Sequence, residues 1–398
     1  MQSKQTICGG IIFIIFLFQS FLTLSQENEV QRILNLDPTE QRYRFIEFRA
    51  HTGFHSYTGN VDLEPFLESG YGALELRVGW QPSKKDHWAA QYGYPAYGFG
   101  VYSGFVGSPQ IFGKPNALYG FMRFYIDSSE KRNVFTIEPA VGLTYNLEPY
   151  DSEENPLNNA IGAKMAVYFN LKFGWVYKWT HDMDITYGFD ATHFSNGRMY
   201  TPNYGLNMIG INLGLSYNYN PDQRKVNNDV YSQSPLLPIR FKRPRKTPNT
   251  KIEKGANSIN LYGAISTVQN YEDQGTSIRY PAYSVVAEYQ HKFNNMHSIS
   301  AGFDYFFDGS LALQYPDDPS KRHHVGIHAG YDFMFWRMTI IGHIGTYLNE
   351  NKTKPPLFFR PALRYDVTPW LYTQVGLKAR GFAADWVEFG IGIRPFKW

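Results

Sequence analysis

The chain is expected to be all-β: a transmembrane antiparallel β-barrel of the bacterial outer membrane, closed from about 14–16 strands as one barrel, with two eight-stranded units in tandem as the alternative. Three observations predict it. Aromatic residues are abundant (30 Tyr, 30 Phe and 8 Trp in 398) although mean hydropathy is slightly negative. Apolar and polar residues alternate through one short run after another, the period-two signature of strands with one face in lipid and one in a polar lumen. The closing segment Trp386–Ile393 alternates in the same way and the sequence finishes on an aromatic residue, Trp398, like the assembly signal of outer-membrane barrels.

The elements follow in order. Lys4 precedes an apolar stretch from Ile11 to Leu24 that ends at Ser25, which reads as a secretory signal cleaved after Ser25. That stretch is too short and poorly flanked for a membrane helix. Cys8, the only cysteine, lies inside the signal, so a mature chain has neither thiol nor disulfide. Strand-like runs fall near 43–56, 71–81, 94–106, 116–127, 133–147, 160–179, 183–196 and 205–219. A second series falls near 257–268, 279–293, 297–308, 322–333, 335–347, 357–367, 369–380 and 385–396. The expected organisation is a signal at 1–25, a first eight-strand region at 26–220, a polar basic linker at 221–256 and a second eight-strand region at 257–398. The single assembly-like ending favours one continuous barrel. Asp127–Asn133 and Thr180–Met183 are short, as periplasmic turns should be, whereas Lys84–Tyr92 is longer than a periplasmic turn needs. A formal net charge of +3 gives no argument for a nucleic-acid partner, and Arg240, Lys242, Arg243, Arg245 and Lys246 read as a solvated linker.

One hairpin carries chemistry. His193-Phe194-Ser195-Asn196-Gly197 is followed by Pro202-Asn203-Tyr204-Gly205-Leu206-Asn207. Ile185, Tyr187, Phe189, Ala191, His193 and Ser195 share one face of the incoming strand, and Asn207, Ile209, Ile211, Leu213, Leu215 and Tyr217 share the apolar face of the outgoing one. A hairpin centred near Thr201 sets Ser195 opposite Asn207, roughly 5 Å apart at Cβ. A serine hydroxyl needs a base to take its proton, histidine suits that role near neutral pH, and an amide oxygen can orient the imidazole. A Ser–His pair in an apolar face points to an esterase whose substrate arrives from lipid. Asp151, Glu153 or Glu154 from the neighbouring loop could add a negative charge, while the parity of Asp190 directs it into the lumen.

These residues resemble two known groups. The His-x-Ser-Asn pattern, the Pro-Asn-x-Gly turn and a polar residue twelve positions after the serine resemble the lipid A 3-O-deacylases of the PagL type, eight-stranded outer-membrane barrels that remove an ester-linked acyl chain. That resemblance implies Ser195 as nucleophile, His193 as base, and Asn196 and Gly197 at the oxyanion. The deacylases carry Glu where Asn207 stands. The outer-membrane phospholipases A have His-x-Ser-Asn-Gly with Asn at this spacing, but their Tyr-Thr-Gln upstream of the histidine is missing; Tyr372-Thr373-Gln374 lies far downstream.

The expected function is hydrolysis of an acyl ester of lipid A or lipopolysaccharide in the outer leaflet, by Ser195, His193 and Asn207. The alternatives are a phospholipase A, and a non-catalytic pore or adhesin. Arg198 is a candidate for a substrate phosphate, or simply a solvated loop arginine. No cofactor is expected, Ca²⁺ entering only with the phospholipase alternative. No metal is expected either: His323, His324 and His328 lie close in sequence, but without an acidic or cysteine partner nearby. The expected partners are the lipid substrate, the outer membrane and its assembly machinery.

Overall fold

The computed structural model describes residues 42–56, 64–68, 70–82, 88–128, 131–180, 182–219, 255–348, 353–380 and 383–398. The expected signal and the basic cluster Arg240–Lys246 lie outside the described residues. The first series of strands is β1 (Arg42–His55), β2 (Tyr71–Pro82), β3 (Ala96–Phe105), β4 (Gly113–Tyr125), β5 (Asn133–Leu147), β6 (Ala166–Lys178), β7 (Met183–Ser195) and β8 (Leu206–Asn218). The second is β9 (Asn257–Val268), β10 (Tyr280–Lys292), β11 (His297–Asp308), β12 (His323–Phe335), β13 (Met338–Tyr347), β14 (Leu357–Asp366), β15 (Leu371–Arg380) and β16 (Ala383–Lys397). Within each series, every strand pairs antiparallel with its neighbour in sequence.

The chain adopts the tandem arrangement. β8 turns back onto β1, with Leu215 opposite Phe48 and Ile211 opposite Thr52, and β16 likewise closes onto β9. Two closed barrels of eight strands result, so the single continuous barrel is corrected. The reason is physical: alternation decides which side chains face lipid, but not whether β8 bonds to β9 or to β1. The sixth strand also starts later than its alternation suggests. Residues 160–165 belong to a loop gathered around Asn158, whose Nδ2 donates to the carbonyls of Ile111 (2.9 Å) and Glu148 (2.6 Å).

Along each wall the outward residues are apolar and exposed while their neighbours are buried and polar: Phe189 is 60% exposed and Asp190 2%. Strands of 10–15 residues match or exceed the 9–11 or so needed to cross a bilayer at a tilt. The first lumen is filled by an ionic lattice. Arg123 donates to Glu138 and Glu47 at 2.6 Å each, Arg77 to Glu138 at 2.6 Å, and Arg49 to Glu47 at 2.6 Å. Each of these five charges has a partner, the condition under which burying it is tolerable. Tyr102, Tyr168 and Phe194 pack nearby at tilted or edge-on angles with ring centroids 5.2–5.9 Å apart.

The barrels touch at both ends. At the end where β7 passes into β8, Arg198 and Thr201 reach the second barrel. At the other end the turn Trp88–Tyr92 docks on the β12–β13 connection: Tyr92 lies 4.2 Å from Phe335 and Trp88 stacks on Trp336 at 5.6 Å, measured between ring centroids. This accounts for the length of the connection after the second strand, which carries a docking element.

Candidate active site

The site forms where β7 ends. His193 and Ser195 point outward, and between them Phe194 points inward, fully buried against Tyr102 and Tyr168. Phe194 lies opposite Leu206, also fully buried, so the strand end is pinned from within while its outer face stays free for chemistry. His193 is the direct cross-strand partner of Asn207, and its Nδ1 lies 2.7 Å from Asn207 Oδ1. The expected opposition of Ser195 and Asn207 is therefore corrected by two residues. Such a shift keeps every side chain on its own face, whereas a shift of one would have moved them all.

Ser195 Oγ accepts two hydrogen bonds, from the Gly197 N–H (3.2 Å) and from Asn203 Nδ2 (2.9 Å). Asn203 Oδ1 in turn accepts the Asn196 N–H at 3.0 Å. No hydrogen bond joins Ser195 to His193 among the described residues. Catalytic bonds of this kind often tighten only when substrate is present. Asn203 is the residue that pattern reading missed; its only signal was its place in the Pro-Asn turn. Of the two expected oxyanion residues, Gly197 presents its N–H toward the serine, whereas the Asn196 N–H is already given to Asn203. The Asn196 side-chain Nδ2 is buried without a partner.

Two glycines make this geometry possible. Gly205, at φ +79°, lies beneath the imidazole: a Cβ there would sit 2.8 Å from His193 Cε1. Gly197, at φ +63°, abuts the second barrel, and a Cβ there would sit 2.3 Å from Val387 Cγ2. Both positions have the left-handed backbone that other residues adopt only at a cost.

Arg198 is neither a solvated loop arginine nor open to a ligand. It is 7% exposed and donates to Asp308 Oδ2 at 3.1 Å and to Ser310 Oγ at 3.4 Å, both in the second barrel. Burial opposes its charge, but Asp308 and then Asp385 outweigh this and hold it above the ordinary arginine value. The same barrel grips Thr201, whose N–H and hydroxyl both donate to Gln269 Oε1 at 2.7 and 3.0 Å. From the other side the loop before β6 supports the turn, Gly205 N–H donating to the Ala160 carbonyl at 2.9 Å.

The auxiliary carboxylates do not reach the imidazole. Asp151 is held below the usual carboxylate range by the backbone N–H groups of Glu154 and Glu153, which it accepts within its own exposed turn. Glu153 and Glu154 are exposed, and none of the three forms an ion pair with His193. Asp190 sits in the lumen, bonded to Asn212 (2.7 Å), Tyr71 (3.0 Å) and His51 (3.2 Å). His323, His324 and His328 do not gather as one set. His323 is outside with Tyr305, while His324 and His328 face the second lumen with different partners.

Closed barrels with apolar outer walls and charged interiors, carrying a Ser–His–amide cluster on an outward rim, define an integral outer-membrane barrel. Two family models match the chain: one described as lipid A 3-O-deacylase (PagL) over residues 74–216, and one as acyloxyacyl hydrolase, C-terminal domain, over residues 257–398. Together they take in most of the sequence, and the chain belongs to this PagL family of lipid A deacylases. Among solved structures it is similar to the outer membrane enzyme PagL (12% identity, 42% of this chain and 97% of that one, TM-score 0.30). It is also similar to Neisserial surface protein A (9% identity, 44% and 96%, TM-score 0.28). A third is the N-terminal β-barrel domain of Pseudomonas aeruginosa OprF (9% identity, 44% and 97%, TM-score 0.24). No curated protein matches the sequence.

Proposed function

We propose that the protein is a serine esterase that removes an ester-linked acyl chain from lipid A in the outer leaflet. The observation that carries this is the Asn207-bound His193 beside Ser195 on the lipid-facing rim. With its Nδ1–H donated to Asn207 Oδ1, the imidazole keeps a lone pair on Nε2 for the serine proton. Ser195 Oγ attacks the ester carbonyl as that proton moves to His193. The tetrahedral oxyanion faces the Gly197 N–H, with the unpartnered Asn196 Nδ2 as a second donor. Collapse breaks the ester C–O bond, and the departing sugar oxygen takes the proton from His193 and leaves as the hydroxyl, with the acyl chain on Ser195. Water, deprotonated by the same imidazole, then attacks the acyl carbon; the fatty acid leaves and Ser195 Oγ takes the proton back.

The substrate reaches the site along the wall, because both reacting side chains face lipid. With the N-terminus in the periplasm, this rim lies in the outer leaflet, where lipopolysaccharide resides. An amide in place of a carboxylate orients the imidazole without stabilising its charge; in a serine protease that exchange costs about 10⁴ in rate, so slow turnover is expected.

The test is mass spectrometry of lipid A after incubation of lipopolysaccharide with refolded protein, wild type beside Ser195→Ala. Loss of one acyl chain with the wild type alone supports the proposal. Lipid A left intact by both, with phospholipid cleaved in the presence of Ca²⁺, would transfer the site to a phospholipase.

A further inference from the structure

The second lumen holds a cluster that the esterase chemistry does not use. Glu288 on β10, His328 on β12 and His343 on β13 all point inward and are buried. One oxygen of Glu288 and one nitrogen of each imidazole lie within 4.8 Å of one another. From Glu288 Oε2 it is 3.4 Å to His328 Nε2 and 3.7 Å to His343 Nδ1. Both nitrogens are buried without a hydrogen bond.

The far side of each ring is fully committed. His328 Nδ1 lies 2.7 Å from Asp304 Oδ2, and His343 Nε2 lies 2.9 Å from Asp332 Oδ1. Asp304 is itself fixed by Arg360 at 2.7 Å and Asp332 by Gln290 at 2.8 Å. An imidazole that gives one N–H to an anchored carboxylate and turns its other nitrogen into a shared space has the arrangement of a metal-binding histidine. The free oxygen of Glu288 completes three ligands, while its other oxygen accepts from Asn260 (2.8 Å) and Arg364 (3.2 Å).

Charge favours the same occupant. Four buried carboxylates (Glu288, Asp304, Asp332 and Glu388) surround the rings, against two guanidinium groups, Arg360 and Arg364. Lys378 is taken by Asp385 at 2.5 Å. With neutral imidazoles the lumen centre is two negative charges in excess, a charge that protons on the two rings or one divalent cation in their place would balance.

We propose that Glu288, His328 and His343 bind a divalent first-row transition ion of the zinc class inside the second barrel. Imidazole and carboxylate ligands suit such ions better than Ca²⁺ or Mg²⁺, which take mainly oxygen ligands. Metal–ligand bonds of about 2.0–2.1 Å place tetrahedral ligand atoms about 3.3 Å apart. The two Glu288 separations are already close to this. The two imidazoles, now stacked at 4.7 Å with 12° between planes, tilt toward each other on binding. A fourth position stays open for water.

The experiment uses the full chain refolded in detergent, stripped with a chelator and dialysed against buffered Zn²⁺. Elemental analysis is expected to give one zinc per chain in the wild type and in Ser195→Ala. His328→Gln and His343→Gln are each expected to weaken binding at least about tenfold. Should either variant fail the heat-modified mobility test for a folded barrel, X-ray absorption of the wild-type zinc decides. Two imidazoles and a carboxylate support the site; a shell without imidazole overturns it. Folded wild type that takes up no zinc, or folded variants that keep it undiminished, also overturns it.

Discussion

The two barrels share strand number, closure and a charged interior, yet their equivalent last hairpins differ. On β7–β8 the outward residues at the rim are His193, Ser195 and Asn207. On β15–β16 they are Leu377, Ala379 and Val387, and Val387 is covered by the very turn that carries the serine. One hairpin is polar where it meets lipid, and the other offers an apolar surface to its neighbour. The fold alone therefore gives no chemistry. What distinguishes the two hairpins is three outward polar side chains at one rim, with a second barrel pressed against the turn that holds them.

The sharpest way to break this contrast is to remove the polar set. Ser195→Ala and His193→Ala should each reduce acyl ester hydrolysis by at least about 10³-fold. Folding should be unaffected, since neither side chain contributes to a lumen. Heat-modified mobility on electrophoresis checks folding, and release of fatty acid checks the rate. Loss of activity in only one of the two would separate nucleophile from base and dismantle the shared role.

The next largest effect should come from the barrel that holds none of the three. Asp308→Asn removes the carboxylate that pairs with Arg198 (3.1 Å) and with Lys354 (2.7 Å), and breaking a buried ion pair costs about 3–5 kcal/mol. Because Arg198 belongs to the serine turn, activity should fall by about tenfold or more as the turn loosens. Protease nicking near Arg198 should rise in parallel. Unchanged hydrolysis in Asp308→Asn would show that the second barrel does not brace the site.

How much of this was legible in the sequence depends on the range of the interaction. All sixteen strands lie close to the runs predicted from alternation, because a period of two is a local property of each segment. Closure was not local: the edge bonds of β8 could go to β9 or to β1 with the same pattern. The site was legible as a face, since His193, Ser195 and Asn207 keep common parity whatever the exact register. Its register was not, because the ten residues between β7 and β8 are positioned by Gln269 and Asp308 rather than by a symmetric turn. Arg198 was misread for the same reason, its partner lying 110 residues away in the other barrel. The lumenal cluster was not legible because Glu288, His328 and His343 come from three strands, and only His328 belonged to the histidine group visible in the sequence.

Gly197→Ala sharpens the comparison at the contact itself. A side chain at φ +63° costs about 1–2 kcal/mol, and here its Cβ would also strike Val387. Hydrolysis should drop by about tenfold. Val387→Ala in the second barrel should restore part of it by relieving the collision while leaving the backbone cost. A double variant no better than the single one would mean that the contact does not transmit. Asn203→Ala should have a smaller effect. It removes the acceptor for the Asn196 N–H and the donor to Ser195 Oγ; only the donor bears on the reacting oxygen, and one hydrogen bond worth about 1 kcal/mol corresponds to a rate loss of about fivefold.

The opposite end of the seam provides the smallest effect and the control. Trp336 stacks on Trp88 at 5.6 Å, and its backbone N–H donates to Tyr92 Oη at 2.9 Å, a bond that does not depend on its side chain. Trp336→Ala therefore deletes one aromatic pair worth about 0.5–1.5 kcal/mol and spares the rest of the contact, including Phe335 against Tyr92. If the barrels support the site through the serine turn alone, hydrolysis should be unchanged while the thermal midpoint falls by a few degrees. If Trp336→Ala slows hydrolysis as much as Asp308→Asn, the two ends act as one clamp, and the second barrel supports the site through its whole contact with the first rather than through Arg198 and Thr201.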